Sequence, residues 1–319
     1  MTTPTTAKQD LAFNLRLLTE ADLPTFVEAG NEWATLEDVL DSVTLSEASE
    51  WFHSPLYHDV NVLAFALNDA GSEEKLIGVV SLTQQPGDDR AWCWLHVDPD
   101  YRLRGLGKAL FAECLRRAEE TGVKNILFTP SKNATLLIPF LQRRGWNIER
   151  YFWDMRLEAD HPAEAATLPD GFTLRTFVRD QDEALLTHVR NVTFADHYGS
   201  VQRTVEEFTE RTKEGWFHDD GVFFAFDGDE IAGFCMTSHD EREWERRGEK
   251  VGHIGLLGVM PAYRGRGLGR ALLLVGVNYL RPFTPVVELG VEGKNDNALA
   301  LYHSVGFHEY KGWANMVKE

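Results

Sequence analysis

Basic side chains, cysteines and long apolar runs are all scarce in this sequence. Its 319 residues hold 32 Lys+Arg against 50 Asp+Glu, a formal net charge of −18. Nucleic-acid affinity comes largely from basic groups that neutralise phosphates, so no DNA or RNA partner is expected. No stretch approaches the roughly 18 to 20 apolar residues that cross a bilayer. The start, Met1-Thr-Thr-Pro-Thr-Thr-Ala-Lys-Gln-Asp10, lacks the basic-then-apolar order of a secretory signal. A cytoplasmic protein without membrane association is expected. Cys93, Cys114 and Cys235 are odd in number, distant in sequence and form no CxxC pair, which argues against a disulfide framework or a thiolate zinc site. His218 has no second histidine at ligand spacing, so no metal is expected.

What the chain does have is a repeat. At 319 residues it exceeds one average domain, and two are expected. Residues 1–100 carry 4 basic and 18 acidic side chains, residues 101–160 carry 11 and 7, residues 161–249 carry 9 and 20, and residues 250–319 carry 8 and 5. The charge thus alternates acidic, basic, acidic, basic. The letters repeat with it. Val97-Asp-Pro-Asp-Tyr-Arg-Leu-Arg-Gly-Leu-Gly-Lys-Ala-Leu110 aligns with Val259-Met-Pro-Ala-Tyr-Arg-Gly-Arg-Gly-Leu-Gly-Arg-Ala-Leu272 at an offset of 162. Phe140 to Trp146 aligns with Leu301 to Phe307, and Leu15-Arg16 with Leu174-Arg175. Two copies of one domain are inferred, residues 1–160 and 172–319, joined by a linker at 161–171 that holds two prolines and an Asp-Gly.

Each copy reads as α plus β. Ala91–Val97 and His253–Val259 are short apolar runs ending at a proline break, hence strands. A helix follows each: Leu110, Phe111, Cys114, Leu115 and Ala118 fall at helical spacing before Gly122, and Leu272–Leu280 is similarly apolar before Pro282. Ile126–Phe128 and Val286–Val291 are further strands, with helices near 134–144 and 296–305. Val62–Leu67 with Leu76–Leu82, and Val222–Phe226 with Ile231–Met236, read as hairpins, the second turning at Asp227-Gly228. The run Asp240–Glu249 is charged almost throughout and reads as a solvated loop or hairpin flap.

The strand, glycine loop and helix in each copy make a site for phosphate groups. Glycines let the backbone approach, the first-turn amides point outward, and the helix dipole adds positive charge. A P-loop is excluded because Lys108 and Arg270 are followed by alanine. The dinucleotide fingerprint is excluded because Leu110 and Leu272 stand where its third glycine belongs.

The pattern Arg-x-x-Gly-x-Gly after a strand ending Val-x-Pro occurs twice, and Asn295-Asp-Asn-Ala-Leu-Ala-Leu-Tyr302-His-Ser-Val-Gly306-Phe307 stands near the end of the second copy. Together they resemble the GNAT superfamily of acyl-CoA N-acyltransferases, over nearly the whole chain. The resemblance implies an α+β fold (α/β three-layer), two tandem GNAT-type domains each with a mixed central sheet flanked by helices. It implies acetyl-CoA as cosubstrate, lying in a V-shaped opening between two central strands. Its pyrophosphate would rest on Arg264, Gly265, Arg266, Gly267, Leu268, Gly269 and Arg270, or in the first copy on Arg102, Arg104, Gly105, Leu106, Gly107 and Lys108. The strand ends Leu257, Gly258, Val259 and Leu95, His96, Val97, with Asn295 and Asn297, complete the expected cofactor contacts. Arg190–His197, Glu214–Gly221 and Leu257–Val259 are similar to a tandem branch of the superfamily, the mycothiol synthases, which acetylate the amine of a cysteinyl-glucosaminyl-inositol. In that branch the C-terminal domain is catalytic. This chain departs from the branch at His253, where an acidic residue is expected.

Acyl transfer to an amine needs oxyanion donors and a proton for the departing thiolate. Four residues before Gly306 stands Tyr302, the acid position of the pattern, but four before Gly145 stands Leu141, which has no proton to give. The C-terminal copy is therefore the expected enzyme and the N-terminal copy a cofactor-binding or structural remnant. Backbone amides at Leu257–Val259 are expected to meet the oxyanion, with Gly258 at a strand distortion. The base is left between His253 and Glu288, acting directly or through water. The expected acceptor is a small-molecule primary amine, attacked directly in a ternary complex. An acidic front part of the second copy would favour a cationic acceptor. A peptide amine, or an acyl-CoA sensor without transfer, are the alternatives. A monomer or weak dimer is expected, since the duplication already supplies a pseudo-dimer.

Overall fold

The computed structural model describes residues 11–36, 42–53, 58–84, 90–162, 164–198 and 200–318. Its contacts divide the chain into one unit of Met1–Tyr151 with Gly312–Glu319 and a second of Phe152–Lys311. The expected linker at 161–171 therefore lies inside the second unit, and each unit is completed by a strand segment from the far half of the sequence.

In the first unit, strands β1 (Phe13–Leu17), β2 (His58–Leu67), β3 (Glu73–Gln84) and β4 (Arg90–Val97) pair antiparallel in that order. β5 (Asn125–Phe128) joins β4 in parallel. Helices α1 (Leu23–Leu36) and α2 (Leu45–Phe52) precede β2; α3 (Leu106–Thr121) joins β4 to β5, and α4 (Leu137–Gln142) follows. Strand β6 begins here and spans Trp146–Leu157. The chain's last strand places Met316 opposite Phe128 of β5 and Ala314 and Met316 in the core. α3 packs Leu106, Leu110, Phe111, Cys114 and Ala118, at helical spacing, against one sheet face. Trp33 and Ala29 of α1 pack with Leu63, Phe65 and Val79 in a separate cluster.

The second unit repeats this order. β7 (Phe172–Thr176), β8 (Val222–Asp227), β9 (Glu230–Ser238) and β10 (Val251–Val259) are antiparallel, β11 (Val286–Glu292) is parallel to β10, and residues 152–157 of β6 pair antiparallel with β11. Helices α5 (Glu183–Thr193) and α6 (Val205–Arg211) precede β8; α7 (Glu241–Arg247) follows β9, α8 (Leu268–Leu280) follows β10, and α9 (Asp296–Ser304) leads to β12 (His308–Lys318). Alternation along the strands sorts side chains into two clusters. Cys235 and Ile254 pack with α8 and Tyr302 of α9, whereas Phe234 and Met236 pack with Leu186, Val189 and Phe208 of α5 and α6. Successive residues thus serve opposite faces, and the two helix sets cover different sides of one sheet. The run 240–249, expected as a loop, is helical: Asp240 caps it through Arg242 N–H, and Gly248 ends it at φ 66°. Cys93 and Cys114, distant in sequence, bring their sulfurs within 3.2 Å as free, buried thiols. No described helix is long and apolar enough to cross a membrane.

Candidate active site

β10 and β11 run in register from Val251↔Val286 to Ile254↔Leu289. Beyond that point β11 continues with residues 152–154 on its other side, and β10 with β9 alone. The strands part there, and the β10 edge that faces β11 has no ladder partner in that strand after Ile254. A register shift against β9 lies between Ile254 and Leu256, a bulge at Gly255. Bulges bend a strand and re-aim its polar groups.

The expected distortion at Gly258 is corrected by this register. Gly258 pairs with Phe234, and a Cβ on it would lie 2.4 Å from Thr193 Oγ1 and 2.7 Å from Phe234 Cε1. Its bare backbone is demanded by α5 packing. Gly255 meets nothing closer than Met236, at 3.6 Å. Gly258→Ala is expected to cost about 1–3 kcal/mol in urea unfolding by overpacking, while Gly255→Ala stays within about 0.5 kcal/mol of the parent.

β10 leads through a single 3₁₀ turn, Pro261–Tyr263, into the glycine loop. Arg264 turns back, its Nε donating to Val259 O at 3.2 Å, and Arg102 does the same to Val97 O at 2.9 Å. These two side chains tie each loop to its strand end. Gly265 and Gly267 take φ of 75° and 82°, the latter capping α8, so the loop turns with the first amides of α8 facing outward. In the first unit Leu103, at φ 60°, stands where Gly265 does, a conformation costing a non-glycine residue roughly 1–2 kcal/mol. Arg266 lies over the Phe172 ring, 3.4 Å from Asp227, and Arg270 Nη2 donates to Glu164 at 2.7 Å. Open space surrounds Gly265. The outward amides and two partly exposed guanidiniums fit a pyrophosphate, for which Arg270 can exchange its carboxylate.

Tyr302 lies in the core cluster on the α8 side, and burial pushes its hydroxyl pKa up to about 12. Its counterpart Leu141 is fully buried in α4.

The segments that hold both glycine loops and Tyr302 match a known family. A family model described as Acetyltransferase (GNAT) family matches residues 31–146 and 188–307. The chain belongs to this family. It is 35% identical over 231 residues to a mycothiol acetyltransferase of Nocardiopsis dassonvillei, covering 66% of this chain and 69% of the relative. It is 33% identical over 251 residues to one of Acidothermus cellulolyticus, covering 75% and 74%. Its fold is similar to a GCN5-related N-acetyltransferase from Sphaerobacter thermophilus (TM-score 0.74, 23% identity, covering 96% and 95%). It is also similar to a tandem GNAT protein from the clavulanic acid biosynthesis pathway (TM-score 0.73, 16% identity, covering 97% and 98%). The protein is thus an acyl-CoA-dependent N-acetyltransferase with two GNAT units in tandem.

Within this GNAT chain the expected polar residues divide. His253 sits one strand step before the bulge, paired with Ser238 and Glu288, and its Nε2 lies 2.9 and 3.0 Å from the two Glu243 oxygens. Glu288, the other base candidate, is an ion-pair partner in this structure. Its carboxylate accepts from Arg156 Nη2 at 2.6 Å and from Arg247 at 3.0 Å. Although burial alone would raise its pKa, the two guanidiniums hold it below the ordinary glutamate value. Such a carboxylate is a weak proton acceptor. Of the two asparagines expected at the cofactor, Asn295 caps α9, its Oδ1 accepting the Ala298 N–H at 3.2 Å, while Asn297 is exposed in that helix's first turn.

One polar residue near the break was given no chemical role by the sequence. His197, after α5, is lowered in pKa chiefly by burial and then by Arg264 and Arg190, against the opposing charge of Glu292. Its ring lies 4.5 Å from Phe194. It stands in an irregular segment, where no periodicity marks a side chain's surroundings.

The first GNAT unit keeps the parting of strands but not the bulge. β4 and β5 pair from Arg90↔Asn125 to Cys93↔Phe128, while β4 follows β3 without a shift. The parting opens a cavity of about 550 Å³ between His96, Val97 and Lys108 on one side and Phe128, Ser131 and Phe140 on the other. His96 is buried, with Trp33 4.5 Å and Trp94 5.7 Å from its ring. Among the described residues no group of three or more His, Cys, Asp or Glu is arranged to hold a metal ion.

Proposed function

We propose that the second unit transfers the acetyl group of acetyl-CoA to a primary amine of a small molecule, by direct attack in a ternary complex. The observation that carries this reading is the asymmetry of the repeat: bulge and Tyr302 occur together in the second unit, and the first has neither. The amine lone pair forms the N–C bond at the thioester carbonyl. Backbone N–H groups of residues 255–259 receive the oxygen as it gains charge. As the carbonyl re-forms, the C–S bond breaks, and the sulfur takes the proton of the Tyr302 hydroxyl. The proton released by nitrogen goes to His253, oriented by Glu243, directly or through water.

The relatives named mycothiol acetyltransferase make the mycothiol precursor one candidate acceptor. We further propose that the first unit binds acyl-CoA without transferring it, supported by its 550 Å³ cavity beside the glycine loop. Release of free thiol from acetyl-CoA, measured across a panel of primary amines, tests the activity. Equilibrium dialysis is expected to give two equivalents of CoA per chain. One equivalent would remove the second site, and no turnover with any amine would remove the first proposal.

A further inference from the structure

The acceptor side of the same unit carries a charge pattern opposite to the one its composition suggests. A cavity of about 320 Å³ opens at the bulge, lined by Gly255, Ser238, Trp216, Arg190, Arg203 and Arg211 among others. Among the described residues no carboxylate lines it, although residues 161–249 hold 20 acidic side chains. Met236 and Phe208, which also line it, belong to the cluster under α5 and α6, whereas Tyr302 belongs to the cluster with α8. The cavity and the tyrosine therefore approach the strand break from opposite faces, as acceptor and departing thiol must.

The three arginines come from different elements and are built in. Arg190 is in the last turn of α5 and half-buried; it donates to Asn191 Oδ1 at 3.1 Å. Asn191 in turn holds the Arg203 backbone from both sides, donating to its carbonyl at 2.8 Å and accepting from its N–H at 2.9 Å. Arg211 ends α6, whose first turn is closed by a reciprocal cap between Thr204 and Glu207. Glu207 is a carboxylate whose charge acts on Arg190 against those of the other two arginines, and it stands 3.6 Å from Arg203. Burial and the like charges of Arg203 and Arg211 depress the Arg190 pKa, and all three guanidinium-bearing residues line the one cavity. Like charges gathered around a cavity attract a counter-ion and repel an ammonium.

We infer that the acceptor amine carries a carboxylate or phosphate, bound by Arg190, Arg203 and Arg211 while its nitrogen reaches the strand break at Gly255. The inference rests on the N-acetyltransferase reading above, names its substrate class, and sets aside the mycothiol precursor as acceptor, since a cysteinyl-glucosaminyl-inositol has neither a free carboxylate nor a phosphate. The volume lies at the low end of the roughly 300–1,000 Å³ of small-molecule sites, which suits a compact amino acid or amino-sugar phosphate. A neutral amine of equal size would leave the guanidiniums unmatched.

The test compares the full-length protein with Arg203→Gln/Arg211→Gln and with Lys213→Gln, an exposed control outside the cavity. Acetyl transfer is measured with matched amines: amino acids against their amides, and glucosamine 6-phosphate against glucosamine. The expected result is a kcat/KM at least roughly 10-fold higher for the anionic member, falling roughly 10- to 100-fold in the double variant and unchanged in the control. Whether carboxylates or phosphates lead identifies the anion. Equal rates for neutral and anionic partners overturn the inference but leave the transferase standing. If no amine is acetylated, binding of inorganic phosphate and of glycine by calorimetry separates the two. Binding lost in the double variant supports the anion site without the reaction, and no binding in any form overturns the site as well.

Discussion

Tyr302→Phe is expected to lower kcat for acetyl transfer by roughly 100- to 1,000-fold with the fold intact. A positioned general acid contributes on the order of 10²–10⁴, and the substitution removes only the hydroxyl from a side chain that is otherwise core. The Tyr302 hydroxyl, pushed up to about 12, stays protonated across the working range. It therefore contributes no alkaline limb below about pH 10, and a fall in rate at lower pH must come from the base or the amine. The effect should appear in kcat rather than in the KM for acetyl-CoA, because the proton is needed only as the thiolate departs. Steady-state kinetics with the best amine of the panel decide it. A kcat within about threefold of the parent would remove Tyr302 from the chemistry and leave it as packing.

Glu288→Leu is expected to destabilise the protein by about 3 kcal/mol while Glu288→Gln keeps kcat within about tenfold. Removing this carboxylate leaves Arg156 and Arg247, whose side chains are only 8% and 12% exposed, short of their shared partner. Arg156 retains Glu249 at 2.8 Å, and Arg247 retains Glu243 at 3.1 Å, which places the cost near the lower end for a broken buried pair. The pH dependence has a definite sign. Glu288 and Glu243 both titrate below the ordinary 4.5 in the folded protein. The stabilisation they confer is present above about pH 4.5 and is lost as pH falls through their lowered values. Urea midpoints of parent and Glu288→Leu should therefore differ at pH 7 and converge at acid pH. A Glu288→Gln protein that is stable but inactive would instead restore Glu288 as the base.

Much of the architecture was legible because the duplication writes it twice. The hairpins, the strand ending at Val97 or Val259, and the helix after each glycine loop depend on local periodicity, and they appear where that periodicity places them. Helix α7 escaped because Asp240–Glu249 has almost no apolar residues to mark a face. Its stability comes instead from the Asp240 cap and from Glu243, Arg247 and Trp244, whose Nε1 donates to Val251 O at 2.7 Å. The strand segments that complete each unit were equally hidden. Which sheet Met155 or Met316 joins is a matter of long-range pairing, which leaves no trace in their own spacing.

The site divides along the same line. Sequence by itself determined the family, the two glycine loops and the contrast between Tyr302 and Leu141, because each is a choice of residue type at a fixed spacing within one short segment. Tertiary structure alone decided where β10 breaks, since a bulge is a mismatch between two strands and Gly255 and Gly258 look equivalent until β9 is laid beside them. It alone turned Glu288 from a base candidate into an ion-pair partner, through guanidiniums 132 and 41 residues away in sequence. And it alone set three arginines around one cavity within a net-acidic segment, because net charge sums over all side chains, whereas a cavity meets only those that converge on it.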